Sequence, residues 1–475
     1  MHISHTCLPI LFACASAQAA TFTVSNINDS GPGSLREAII AANATPAPPH
    51  RITFGASVQQ QGLIELFSSL PLIQVALEID GTGRQPSILP FDTSAGFTLL
   101  RSSKALTLRD MSLNGGRGDG KGGCLSGEGL DASSLLVLDK MAFTGCTAVV
   151  YTGAGTASGG AVSWPANTQV TIRDSVFEGN SAATLGSGLA AGGALSIGGP
   201  LHIASSSFTN NLLNGGFVAG AAVHANLSEP GDIDIHGSIF ESNIADSDPG
   251  SSSTGLGGAI SLDCETCTAN IQRNYFADNR SGFGGALFIR GNSGIVSATL
   301  HNNTLVGNRA SARGGALYAV GTQLDVRHAS FHDNGSPLGG HAYIASTTID
   351  EWSNSIMTDV AAGSGSACSI GAIATVAVGN FLPDGNNGCS VSLPGGTQVA
   401  DFQMMGVDRS ASPSVLEFAS TSAVIDAADA ARCLPADARG TLRPQDGNED
   451  GITGCDAGAF ERPFPGRIFR NGFDD

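Results

Sequence analysis

The chain has 475 residues, 64 of them glycine, with 13% charged residues and a net charge of −18. That length exceeds the ~250–300 residues at which one ordinary core stops growing, which leaves several domains or a solenoid that lengthens its core by repetition. Glycine without a three-residue period excludes collagen, a 41% apolar content excludes a disordered chain, and an acidic balance without basic clusters excludes nucleic acid as a partner.

Residues 1–19 read as an export signal. Cys7 to Ala15 is a short apolar run, and Ala17-Gln18-Ala19 supplies the small-x-small cleavage pattern. Leu11-Phe12-Ala13-Cys14 also resembles a lipoprotein box, with a bulky Phe12 where a small residue is usual. No later stretch approaches the ~18–20 apolar residues of a membrane span, so no transmembrane segment is expected in the mature chain. Residues 20–100 read as an N-terminal cap and first coils. Ser34-Leu35-Arg36-Glu37 is a capping box, and Leu35, Ala38, Ile39 and Ala42 follow at helical spacing. A short amphipathic helix there would cover the open end of a stack.

Residues 101–400 carry repeats. One phrase recurs as Val176-Phe177-Glu178-Gly179-Asn180, Ile239-Phe240-Glu241-Ser242-Asn243, Tyr275-Phe276-Ala277-Asp278-Asn279 and Ser330-Phe331-His332-Asp333-Asn334, with Phe208 and Asn211 in the same series. Between these copies stands a second phrase, as in Gly159-Gly160-Ala161-Val162, Gly192-Gly193-Ala194-Leu195 and Gly257-Gly258-Ala259-Ile260. The copies lie ~25–37 residues apart, the spacing of a solenoid coil. Seven and five residues before each Phe stand apolar residues such as Val170 and Ile172, with Thr171 and Arg173 polar between and after them. That alternation is a strand with one face buried. The parity slips by one at Ser175, Ser206, Ser238, Asn274 and Asn303, which a corner between two strands explains. Each coil is therefore strand, corner, strand, Asn turn, a loop of variable length and the GGA strand. The expected fold is all-β: a right-handed parallel β-helix of the pectin-lyase-like kind, with three strands per coil. Equivalent residues would stack about 4.8 Å apart, Phe on Phe and Asn on Asn, in a rod of about a dozen coils roughly 50–60 Å long.

The cysteines beyond Cys14 fall in close couples: Cys124 with Cys146, Cys264 with Cys267, Cys368 with Cys389 and Cys433 with Cys455. In an oxidising compartment these would be disulfides, each closing one coil or less, although spacing alone does not prove connectivity.

The alternation of Phe-x-x-Asn with Gly-Gly-Ala-Ile/Leu resembles the repeats of the polymorphic outer-membrane protein family of bacterial surfaces. Asn28-Asp29-Ser30-Gly31-Pro32-Gly33-Ser34-Leu35-Arg36-Glu37 is similar to the N-terminal motif of secreted bacterial β-helix proteins named for a CSLREA sequence, with Gly33 in place of the Cys. Residues 401–461 read as a closing block. Within it, Ala423-Val424-Ile425-Asp426, Asp437-x-Arg439-Gly440-x-x-Arg443-Pro444 and Cys455-Asp456-Ala457-Gly458-Ala459-Phe460-Glu461 resemble the C-terminal block of the choice-of-anchor surface proteins. These resemblances imply a secreted or cell-surface protein, associated with the outer membrane of a bacterium. Too few residues follow Glu461 for the membrane barrel of an autotransporter, whose strands are each ~9–11 residues long. Residues 462–475 resemble short terminal tails that act as sorting signals.

No catalytic set stands out. The best local candidate for a weak catalytic alternative is His202, Asp234 and His236, with His224 and Asp232 nearby in sequence; His202 and Asp234 share a column on consecutive coils. Outward polar residues are also what any solvated strand face shows. Trp164, Trp352, Tyr151, Tyr318 and Tyr343 are too few and scattered to suggest a sugar-stacking face. Asp446, Asn448 and Asp450 match the opening of a calcium loop, but its closing Glu is missing: the twelfth position is Ala457. The expectation is a non-catalytic, structural, adhesive or ligand-binding protein. It would be monomeric and would bind a surface or matrix ligand, with a polysaccharide among the candidates and no cofactor beyond calcium. The alternative is a polysaccharide lyase or glycoside hydrolase of the same fold.

Overall fold

A computed structural model describes residues 19–464 apart from 47, 93, 95, 166, 246–254, 293–295 and 386. The expected export signal lies outside the described residues, as does most of the expected sorting tail.

The chain winds into a right-handed parallel β-helix of about 11 turns. Three parallel sheets run along it, of 24, 11 and 10 strands among the described residues, joined by one antiparallel hairpin, Met404–Asp408 with Val415–Phe418. The coil that begins at Val170 shows how the residues dictate the path. Val170 and Ile172 are buried and Arg173 is exposed. Asp174 then turns the chain through a left-handed φ of 48°, Ser175 points inward, and Phe177 enters the core. The polar residue at the parity slip is thus a buried cap. Ser175 Oγ accepts the Met141 N–H (3.1 Å), Ser206 Oγ accepts that of Ser175 (3.2 Å), and Asn274 Oδ1 accepts that of Ser238 (2.9 Å). A buried N–H left bare at each corner would cost about 1–3 kcal/mol.

Phe143, Phe177, Phe208, Phe240 and Phe276 stack with centroids 4.6–5.0 Å apart and planes within 12° of parallel. Beside them runs the Asn ladder. Asn243 Nδ2 donates to Asn279 Oδ1 (2.9 Å) and to the Phe208 carbonyl (2.9 Å), and the Asn243 N–H reaches the same Asn279 oxygen (3.1 Å). The same pattern links Asn180, Asn211, Asn279, Asn308 and Asn334.

The stretch expected as a variable loop is itself built. Ser181–Thr184 and Leu189–Ala191 both belong to the 11-stranded sheet. Ala148, Ala157, Ala182, Ala190, Leu213 and Val218 are among the residues of a second, small apolar core between these strands. Each such coil therefore carries a side lobe, which loop-like composition hid because its core is alanine. The GGA phrase forms the neck of the lobe. A Cβ on Gly160 would lie 2.0 Å from the Gly193 carbonyl and 2.4 Å from that of Ser181, and Gly192 sits at φ +66°. Only glycine fits such a close approach. From Arg280 on, the lobe shrinks to the single strands Arg280–Phe283 and Arg309–Arg313.

The helix forms at Leu35–Ala44, with Ser34 as its N-cap and Leu35, Ala38, Ile39 and Ala42 buried, as its spacing predicts. All four cysteine couples are disulfides. After its last parallel strand, Thr397–Val399, the chain does not continue the stack. It folds back along the flank, where Phe402, Leu416, Phe418, Val424 and Ile425 pack on Ile356 and Phe381 of the coils.

Candidate functional site

The corner residues form one column down the solenoid, set by the register of the flanking strands: Asp110, Lys140, Asp174, Ser205, Gly237, Arg273, Asn302, His328 and Asn354. All but the glycine are non-glycine residues held at φ 48–56°. Gln61 and Gln85 hold the same geometry in the first coils. The bend makes a groove, whose wall is lined by the outward residue two positions after each corner: Ser112, Ala142, Val176, Ser207, Ile239, Tyr275, Thr304, Ser330 and Ile356.

The returning C-terminal block fills the far half of this groove. Tyr275, Thr304, Ser330 and Ile356 are at most 1% exposed there. Asn302 Nδ2 donates to the Ala436 carbonyl (3.0 Å), and Asn354 takes the Asp429 N–H on Oδ1 (2.7 Å) while donating to the Asp429 carbonyl (3.1 Å). The Ala459 N–H reaches Ser330 Oγ (2.9 Å), and the Gly458 N–H reaches the Asn354 carbonyl (2.8 Å). At the boundary, Arg409 pairs with Glu241 (2.9 Å) and lies over the Tyr275 ring (5.5 Å). Burial pushes the Tyr275 hydroxyl up to about 12.

The near half is open. Its groove encloses about 590 Å³ between Gln61 and Val176. Val176 is 40% exposed where its counterpart Ile356 is 0%. Leu63 links this groove to a second hollow where the exposed rings of Phe67 and Phe91 lie 4.7 Å apart. The side chains of Gln61, Gln85, Lys140, Asp174 and Ser205 are exposed, and none hydrogen-bonds to or ion-pairs with a described residue. This groove carried no motif; only the corner geometry and the alternating exposure of one column reveal it.

The residues picked out from sequence fare differently. His202 and Asp234 do stand one above the other, Nδ1 to Oδ2 3.7 Å, each side chain over a third exposed. His236 lies in the adjacent column, beside Ala204 and Gln272. His224 does not join them. It lies on the 10-stranded sheet beside Ser196 and Ser261, where burial pushes it down to about 4 and leaves Nδ1 without a partner. Trp164 and Trp352 are wholly buried. Tyr318 and Tyr343, far apart in sequence, are neighbours after all: Phe288, Tyr318 and Tyr343 stack at 5.2 Å, because coil register converts a 25-residue spacing into one rung.

Asp446, Asn448 and Asp450 meet in one turn. The Asp446 carboxylate accepts the Asp450 and Gly451 N–H groups (3.1 and 3.0 Å), Asn448 Oδ1 accepts the Asp450 N–H (2.9 Å), and Asp450 accepts that of Ile452 (2.8 Å). Each of these carboxylate oxygens accepts one N–H and keeps a second lone pair, and the three side chains stay gathered in one turn. Among the described residues no three His, Cys, Asp or Glu side chains are grouped to hold a metal. Among the described residues no helix is long and apolar enough to cross a membrane. A scan against protein-family models and a search of curated proteins return no match to this chain.

Proposed function

We propose that the chain is a secreted or surface-exposed bacterial β-helix that holds an extended ligand in its corner groove without transforming it. The observation behind this reading is the change along a single column: the groove is built to be filled, is filled by the chain itself over its far half, and stays open over its near half. Exposed Leu63, Phe67, Phe91 and Val176 add apolar surface of the kind that marks interaction sites. Of the two His–Asp pairs among the described residues, His202–Asp234 is long and solvated. The other, His301–Asp325 (3.2 Å), adjoins Arg327, which ion-pairs with Asp325 (2.8 Å) and with Glu351 on the next coil (3.0 Å), so those carboxylates are engaged as a structural ion-pair network. The test is to apply the labelled full chain to arrays of glycans and matrix proteins, with unsaturated and reducing ends assayed on the same polysaccharides. Binding that Ala142→Arg abolishes, with no product formed, is the expected result. Product release from any polysaccharide would replace this reading with a lyase or hydrolase.

A further inference from the structure

We infer that the open half of the groove binds a polypeptide segment; the inference rests on the groove reading above and names its ligand class. The covered half shows what this surface recognises. Across that interface, Asn302, Asn354 and Ser330 bond to the main chain of the block: the Ala436 carbonyl, both the N–H and the carbonyl of Asp429, and the Ala459 N–H. The Leu434 N–H likewise points at His328 Nε2 (3.4 Å). Peptide groups are the commonest partner because the left-handed corner aims each side chain outward at a fixed spacing of one rung, about 4.8 Å, alongside a wall that is apolar or hydroxylic. Side chains of the block then add selectivity, as Arg443 does on Asn302 Oδ1 (2.9 Å).

The open half repeats this arrangement in register. Gln61 and Gln85 offer amides with the donor and acceptor capacity of Asn302 and Asn354, Ser205 offers a hydroxyl, and Leu63, Ala142 and Val176 give the apolar wall. These corner side chains have no described partner, whereas Asn302, His328 and Asn354 are buried under theirs. Asp110, Lys140 and Asp174 alternate in sign on three successive coils, leaving the groove one negative charge. The segment that fits is therefore uncharged or carries a small positive excess, and it lies along the column with its peptide groups facing the corners, as the block does.

The experiment pans a random twelve-residue peptide display library against the intact chain, with a glycan array run in parallel. Selected peptides are resynthesised, and their affinity is measured on the wild type and two variants. Ala142→Arg blocks the groove from its wall, and the double change Gln85→Ala with Ser205→Ala removes corner partners; both touch exposed or half-exposed positions, and thermal unfolding checks that they fold. Enriched peptides weakened at least tenfold by Ala142→Arg and severalfold by the double variant would support the inference. Glycans bound in a groove-dependent way, with no such peptides, would overturn the polypeptide assignment and leave the groove reading standing. Ligands of neither kind sensitive to the groove would overturn both.

Discussion

In the coils, one kind of side chain repeats down each column; in the block that lies against them, hardly two buried contacts are alike. Phe208 meets Phe177 and Phe240, and Asn211 meets Asn180 and Asn243. Arg443, its side chain fully covered, instead pairs with Glu461 (3.0 Å) and donates to Asn302 and to the Gly458 carbonyl (2.7 Å). Glu461 in turn accepts the Gln445 and Asp456 N–H groups, and Asp437 accepts those of Arg439, Thr441 and Glu461. The stack holds by apolar burial and neutral amides, while the block is knit by buried charge. The first should be indifferent to pH above about 6.5, below which the buried neutral His224 and His341 begin to cost stability, and should fail as a whole. The second should respond to pH through the neutral range and come loose locally.

The largest effect that would test this contrast is at Phe208. Phe208→Ala removes a ring from the middle of the column and should destabilise the whole solenoid by about 3–5 kcal/mol, read by urea unfolding. Arg443→Ala should cost a similar amount, about 3–5 kcal/mol, because Glu461 is left buried and unpaired. Its signature is different: hydrogen exchange should rise over the block and over Asn302, Ser330 and Asn354 while the Phe column stays protected. Uniform exchange in both variants would mean that block and coils unfold as one unit, and the contrast would be lost.

Asn279→Ala comes next. A single lost hydrogen bond would suggest about 1 kcal/mol, but Asn279 donates to the Phe240 carbonyl and Asn308 and accepts twice from Asn243. Its removal strands buried groups on two coils, so about 1–3 kcal/mol is expected for the orphaned partners. A smaller pH effect should follow from Asp456. Burial first, then the neighbouring Glu461, raises its carboxyl from the ordinary value to about 7. A carboxyl raised on folding stabilises while protonated, so its contribution is complete below about pH 4 and is lost as the pH climbs towards 7. After correction for the intrinsic rise of exchange with pH, the protection of the block should therefore be lower at pH 8 than at pH 5, and Asp456→Asn should flatten that dependence. The smallest effect is His202→Ala, below about 1 kcal/mol, since its pairing with Asp234 is long and solvated.

The strand alternation around Val170 and Ile172 and the Phe and Asn phrases were legible because a parallel stack needs the same residue at the same height in every coil. The capping helix was legible for a similar reason, as its N-cap and apolar stripe are both local. The side lobe was not, since alanine and serine fit a loop as well as a thin core. The share of Arg443, Asp437 and Glu461 in one network was also hidden, although all three lie in the motifs that resemble a surface-protein block, because their mutual partners lie up to 24 residues apart in a segment without periodicity, and the one coil residue they reach, Asn302, is 141 residues away.

Sequence by itself determined the coil: its length, its inward residues and its Phe and Asn columns, all of which follow from local periodicity and chain geometry. Only the tertiary structure decided where the last residues lie, and so which half of the corner groove is filled and which is open. That choice turns on contacts between distant segments, such as Ala436 with Asn302 and Asp429 with Asn354, for which no repeat leaves a trace.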